Sequence, residues 1–235
     1  MNSYSLFSSG DEKIHRYKAV VNTTFERQKL WQHERNATAD DDSYLRSSAL
    51  QSAKEGNYVE AIALLNQLIH CYPDNAIDYN NRGLIYFQCG ESQKAFIDYN
   101  TALQLNPKLA PAYNNRANYY AACGELHSAI EDYDRALDLN PSHVRAWVNR
   151  GITLRDLDQY QEAIDNFEIA LLFGQLFGNI LAERGRTYHL WGDWNWAIAD
   201  YRHALNHLPQ HSTTKDEPAS RLRLQVENWL EELLS

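Results

Sequence analysis

Residues 76–109 read AIDYNNRGLIYFQCGESQKAFIDYNTALQLNPKL, and residues 110–143 read APAYNNRANYYAACGELHSAIEDYDRALDLNPSH. Placed 34 residues apart, they align Asn81 with Asn115, Arg82 with Arg116, Gly83 with Ala117, Gly90 with Gly124, Ala95 with Ala129, Tyr99 with Tyr133, Ala102 with Ala136 and Pro107 with Pro141. Self-similarity at a fixed period is the mark of a repeat architecture. The columns extend outward in both directions. Ala61, Ala163 and Ala197 continue one, and Leu65, Phe167 and Tyr201 continue the aromatic one. Gly151 and Gly185 continue the small-residue column. Gly56 and Gly192 continue the glycine column, with Asp158 filling its fourth place. Pro73 and Pro209 continue the proline column, broken only by Gln175.

The columns divide the chain into five repeats: 42–75, 76–109, 110–143, 144–177 and 178–211. Each reads as two antiparallel helices. In the second repeat the first helix runs over Ala76–Cys89 and the second over Ser92–Leu105, with stops at Gly90 and at Asn106-Pro107. Glycine just past one helix and proline beyond the next are the expected terminators. Gly83 and Ala95 let the two helices approach closely, and Tyr86 and Tyr99 fill the next layer. This order of residues, shown in the third repeat by Tyr113, Ala117, Tyr120, Gly124, Ala129, Tyr133, Ala136 and Pro141, resembles the tetratricopeptide repeat. The resemblance implies an all-α fold, a right-handed α-solenoid of about five helix-turn-helix repeats. It is weakest in the first repeat, where Leu45 and Ser52 replace aromatics, and in the fourth, where Leu154 does.

Two ends lie outside the repeats. Residues 1–41 form an arm with as many basic as acidic residues, so residues 42–235 carry the whole net charge of −9. Ile14, Tyr17, Val21 and Phe25 predict a helix within Asp11–Asn36, followed by a polar hinge at Arg35–Ser43. After 212, a linker leads to Ala219–Ser235. There Leu222, Val226, Trp229, Leu230 and Leu233 predict an amphipathic helix. A solenoid needs such a cap over its last apolar face.

Composition narrows the function. The chain has 235 residues, 44% hydrophobic and 23% charged, and its acidity disfavours nucleic acid. No secretory leader and no membrane-spanning run are expected. Cys71, Cys89 and Cys123 are sparse and odd in number, which suits a reducing compartment, so a cytoplasmic location is expected. Cys89 and Cys123, one repeat apart, read as small buried apolar residues. No nucleophile elbow, phosphate loop, dinucleotide turn or zinc helix is present. His203, His207 and His211 have helical spacing, but Pro209 intervenes and no acidic or thiol ligand is in register. Catalytic residues, metal and cofactor are all expected to be none.

In the resembled family the first helix of each repeat lines a concave groove. Carried over, that puts Asn81, Asn115 and Asn149 in a ladder, with Asn80 and Asn114 as a partial second row. An amide both donates and accepts, so it suits the backbone of an extended chain. A similar ladder lines the peptide groove of O-GlcNAc transferase. The alternative is that these amides are solvated or bond the neighbouring repeat. Leu84, Phe87 and Asn118 share the inferred groove, and Arg145, Arg155 and Arg186 would favour an acidic ligand unless nearby carboxylates hold them. The carboxylate clamp of heat-shock co-chaperones is not matched in any register, so chaperone tails are not expected partners.

Arg82, Arg116, Arg150 and Arg184 each have Asp98, Asp132, Asn166 and Asp200 sixteen residues on, which predicts a structural pair between the two helices of a repeat. The junction LLFGQLFG at 171–178 is apolar where the others are polar. Phe173 and Phe177 either pack inside or form an exposed contact patch. Trp194 falls in the buried column, whereas Trp191 and Trp196 are candidates for a second binding surface.

The expectation is a non-enzymatic module that holds an extended or helical segment of another protein in its groove, as a scaffold or assembly factor. Similar small repeat proteins assist assembly of photosynthetic membrane complexes, so a place at the periphery of a membrane complex is part of that expectation. The competing expectation is a structural, homo-oligomeric protein whose N-terminal arm lies in its own groove or exchanges with a neighbour's.

Overall fold

The structure is a computed structural model and describes residues 42–209 and 218–234. The predicted arm helix at Asp11–Asn36 and most of the linker lie outside the described residues. Every regular element described is helical. The chain divides by its contacts into two units, the boundary falling after Cys71.

In the first of these units, α1 (42–54) and α2 (Tyr58–Cys71) form one hairpin. Its interior is Ala49, Ala53, Ala61, Leu65 and Leu68. Leu65 stands where later repeats carry a ring, so this hairpin has an aliphatic core.

In the unit from Tyr72 onward, α3 (Ala76–Gln88) pairs with α4 (Ser92–Leu105), α5 (Ala110–Ala122) with α6 (Leu126–Leu139), α7 (Val144–Asp156) with α8 (Tyr160–Leu172), and α9 (Phe177–Trp191) with α10 (Trp194–His207). The closing helix α11 (Pro218–Leu234) packs on α9 and α10. The first helices touch in series, α3 on α5, α5 on α7 and α7 on α9, while no two of α4, α6, α8 and α10 touch. A stack that is tight along one row and splayed along the other is curved, with the first helices on its inner wall.

The small-residue column sets the spacing within each pair. A Cβ added at Gly83 would lie 2.7 Å from the Tyr99 ring, at Gly151 2.8 Å from Phe167, and at Gly185 2.9 Å from Tyr201. Tyr99, Phe167 and Tyr201 are accordingly fully buried, as is Tyr133 opposite Ala117. Burying each ring contributes about 2–3 kcal/mol.

Each hairpin turns through the same device. In α3, Glu91 N–H donates to Tyr86 O and Gly90 N–H to Phe87 O, at 2.8 and 3.2 Å. Gly90 is left-handed at φ +85°. These two bonds close the orphan carbonyls of the helix end. The fourth repeat keeps both bonds but has Asp158 at φ +60° where the others have glycine. A short polar side chain tolerates that region at a cost of about 1 kcal/mol. The turn geometry also corrects the reading of the cysteines. Cys89 and Cys123 cap the helices just before these glycines, so Cys123 is exposed and Cys89 half-buried.

The arginine column is a seam. Arg82 donates to both carboxylate oxygens of Asp98 at 2.8 and 2.7 Å, Arg116 to both of Asp132 at 2.7 and 2.8 Å, and Arg184 to both of Asp200 at 2.7 and 2.8 Å. These bonds raise each arginine's pKa against the opposing effect of burial. The guanidiniums of Arg116, Arg150 and Arg184 also reach back to the preceding hairpin, which the forward pairing alone does not predict. Arg116 donates to Asn100 at 2.7 Å, Arg150 to Asp134 at 2.7 Å, and Arg184 lies 3.6 Å from Glu168. In the fourth repeat the forward partner is the neutral Asn166, 3.1 Å away, so Arg150 takes its carboxylate from Asp134 instead. Tyrosines flank the guanidiniums: Tyr79 and Tyr86 lie 5.5 and 5.8 Å from Arg82.

At the closing end, α11 lays Leu222, Val226, Trp229, Leu230 and Leu233 on the core around Leu181, Tyr201 and Leu208. Arg223 Nη1 donates to the carbonyls of Leu205 and Leu208 at 2.9 and 3.1 Å, satisfying the end of α10.

Removing one member of the seam leaves a half-buried guanidinium without its fork. Asp98→Ala is expected to lower stability by about 3 kcal/mol in urea unfolding, whereas Asp134→Ala, which removes an exposed partner, lowers it by less than about 1 kcal/mol.

Candidate inner-wall surface

The inner wall is built from the faces of α3, α5, α7 and α9. Its amides are bonded to one another across repeats. Asn115 Nδ2 donates to Asn80 Oδ1 at 3.0 Å, and Asn149 Nδ2 donates to Asn118 Oδ1 at 2.9 Å. Within α5, Asn114 Nδ2 donates to Asn115 Oδ1 at 3.2 Å; in α3, Asn80 faces Asn81 at 3.5 Å. Asn80 and Asn114 are buried, and Asn81, Asn115, Asn118 and Asn149 half-buried. Two rungs of the predicted ladder, Asn115 and Asn149, bond the neighbouring repeat, and Asn81 accepts from Asn80 of its own helix. The two inter-repeat bonds stitch α5 to α3 and α7 to α5.

The arginines divide similarly. Arg155 Nη1 donates to Glu183 at 2.7 Å, with Asp156 3.6 Å away. Arg186 lies 5.0 Å over the Trp229 ring of α11 and 3.2 Å from His189 Nδ1. Burial and Arg186 lower the pKa of His189, consistent with a neutral ring that also meets Tyr201 Oη at 3.2 Å. Arg155 and Arg186 are thus held by the protein itself. Arg145 on α7 is exposed, and Leu84 and Phe87 on α3 are half-buried.

A relation between columns explains the wall's polarity. The Tyr133 hydroxyl donates to Asn118 Oδ1 at 2.7 Å. In the fourth repeat the ring is Phe167, without a hydroxyl, and the place of Asn118 is taken by Ile152, which packs on that core. In the second repeat the ring is Tyr99 while the facing place is Leu84. The Tyr99 hydroxyl is buried without a hydrogen-bond partner, and burial pushes its pKa up. Asn114 Oδ1 is likewise buried and unpartnered, because Asn149, whose counterpart Asn115 bonds Asn80, turns to Asn118 instead.

The second candidate surface divides into two. Phe173 and Phe177 are 38 and 39% exposed, beside Leu172 and Leu176, so the two rings are not packed wholly inside the solenoid. With no proline there, the chain turns through Gly174 at φ +67° and Leu176 at φ +52°. Phe177 meets His207 edge-on at 4.8 Å. Trp191 and Trp196 are exposed, as expected, and so is Trp194, at 62%. The buried reading of Trp194 is therefore corrected. Its counterpart Tyr160 stacks on Trp191 of the next hairpin, a contact that Trp194 lacks among the described residues.

Tyr99→Phe removes an unsatisfied buried hydroxyl and is expected to leave stability unchanged or raise it by about 1 kcal/mol, whereas Tyr133→Phe removes a made bond and lowers it by about 1 kcal/mol, both read by urea denaturation.

Family models described as tetratricopeptide repeat match residues 76–109 and 110–143, and a second model of the same description matches 132–165. No curated protein matches the chain. Among solved structures, TTC0263, a thermophilic tetratricopeptide-repeat protein of Thermus thermophilus, superposes with a TM-score of 0.69 at 18% identity, over 81% of this chain and 99% of that one. A tetratricopeptide repeat protein from Parabacteroides merdae gives 0.61 at 22% identity, over 81% and 74%. The MamA protein gives 0.58 at 19% identity, over 70% and 90%. These likenesses are of fold. With the repeat models matching its own hairpins over residues 76–165, the chain carries tetratricopeptide repeats.

Proposed function

We propose that the protein is a non-enzymatic interaction module that holds a segment of a partner protein along the inner wall formed by α3, α5, α7 and α9, as a scaffold or assembly factor. The repeat fold supports a protein-binding role. The observation that carries the reading is the composition of that wall. Asn80, Asn115, Asn118 and Asn149 and two of its three candidate arginines are held by contacts within the protein, while Leu84, Phe87 and Arg145 keep exposed area. A pre-organised surface loses little side-chain entropy when a partner docks. Apolar contact at α3 with an exposed guanidinium at α7 fits a segment carrying an aliphatic or aromatic residue and a carboxylate. Among the described residues no helix is long and apolar enough to cross a membrane.

Affinity capture from the native source tests this with wild type and the Phe87→Ala/Arg145→Glu variant. The expected result is loss of the co-purifying polypeptide from the variant, with its circular dichroism unchanged. Equal recovery by both proteins would remove the inner wall from the reading.

Self-association is the second reading, favoured by the apolar junction at Leu172, Phe173, Leu176 and Phe177. Light scattering after size exclusion distinguishes the two. A monomer is expected from the first reading, and a dimer that dissociates in Leu172→Glu/Phe177→Glu would establish the second.

A further inference from the structure

Three indole rings stand exposed within six residues at the tip of the last hairpin: Trp191, Trp194 and Trp196, at 48, 62 and 58%. Two of them are held in place. Trp191 stacks on Tyr160 at 6.3 Å between centroids and 25° between planes, and Trp196 on Tyr188 at 6.1 Å and 25°. One face of each is fixed and substantial area remains open. Because Tyr160 begins α8 and Trp191 ends α9, the platform spans the tips of two neighbouring hairpins.

A second feature meets it there. Asp158 occupies the left-handed turn position that is glycine in the other described hairpins. Its carboxylate accepts a hydrogen bond from the Tyr160 hydroxyl at 2.7 Å, which sets it at the edge of the platform. A non-glycine residue held in that region is a constraint that functional surfaces often carry. Charge is one-sided as well. Residues 156–165 and 188–199 carry five carboxylates and no lysine or arginine, and of the five Asp156 lies 3.6 Å from the neighbouring Arg155. Asp193, beside Trp194, makes no side-chain capping bond with its own helix.

An open indole face next to a carboxylate is what a guanidinium needs: the ring attracts the cation, and the carboxylate takes its in-plane N–H groups. The same charge repels phosphates and anionic lipid. We infer that the tips of the fourth and fifth repeats dock an arginine-bearing segment of a protein partner, with guanidinium groups over Trp191 and Trp194 and bonded to Asp158 and Asp193. This surface is separate from the inner wall and stands or falls independently of it.

The full chain titrated with nona-arginine, followed by tryptophan fluorescence and calorimetry, tests the inference, with nona-glutamate as control. Nona-arginine is expected to bind and quench, and nona-glutamate to do neither. Trp191→Ala/Trp194→Ala, at exposed positions, should weaken binding about tenfold. Asp158→Gly should weaken it several-fold while raising the thermal midpoint, because it relieves the left-handed backbone. A purely structural role for Asp158 does not produce that pair of changes. Affinity within about twofold of wild type in both variants would locate the peptide elsewhere on the acidic surface and overturn the inference. Equally strong binding of a neutral apolar peptide would overturn it too. So would a wild-type dimer lost in the double tryptophan variant, since a second copy would then be the occupant.

Discussion

The stack from Tyr72 onward depends on one close approach, repeated in each hairpin. A residue without bulk on the first helix faces an aromatic ring on the second, as Gly83 faces Tyr99 and Gly151 faces Phe167. That contact sets the distance between paired helices. It also decides which side chains reach the next hairpin. With the ring buried, the guanidinium one place before the small residue sits between its own hairpin's carboxylate and the preceding hairpin's polar group. The amides just before it reach across the inner wall. Packing, the arginine seam and the amide stitching are three consequences of one spacing. A solenoid has no single core, so each interface must be specified separately. Here hydrogen bonds specify direction and register where apolar contact alone would allow slippage.

That arrangement alters the meaning of the asparagines. A column of amides is readily taken for a peptide-binding ladder, and its residue types suit that role. Their first use here is structural, since Asn115 and Asn149 donate to the preceding first helix. What these bonds leave exposed is apolar area at Leu84 and Phe87, the guanidinium of Arg145, and the aromatic tips of the last two hairpins, where the proposed binding is placed. The closing helix takes part of the wall for itself, because Trp229 covers Arg186 and stacks on Tyr201 at 5.8 Å.

Much of the fold was legible in the sequence because the repeats constrain one another. The hairpin limits, the ring-and-small-residue contact and the forward arginine pairs come from columns at a period of 34, and the apolar face of α11 comes from the helical spacing of its own residues. What escaped were contacts that depend on side-chain direction between hairpins. The backward reach of Arg116 to Asn100 lies sixteen residues upstream, a spacing as regular as the forward one. The match of Tyr133 with Asn118 and of Phe167 with Ile152 was also open to reading, and it would have exposed Tyr99 opposite Leu84 as the exception. Trp194 and the cysteines were misread for a different reason. Their columns are defined by hairpin tips, where residue type alone does not separate a capping position from a core one.

The central claim is that the inner row of first helices, rather than the outer row, meets the partner. Photo-crosslinking in the native source addresses it directly, with a benzophenone side chain placed at Phe87 on α3 or at Ile97, which is 57% exposed on α4. The account predicts a discrete adduct from position 87 and none from position 97. An adduct from 97 with none from 87 would contradict it.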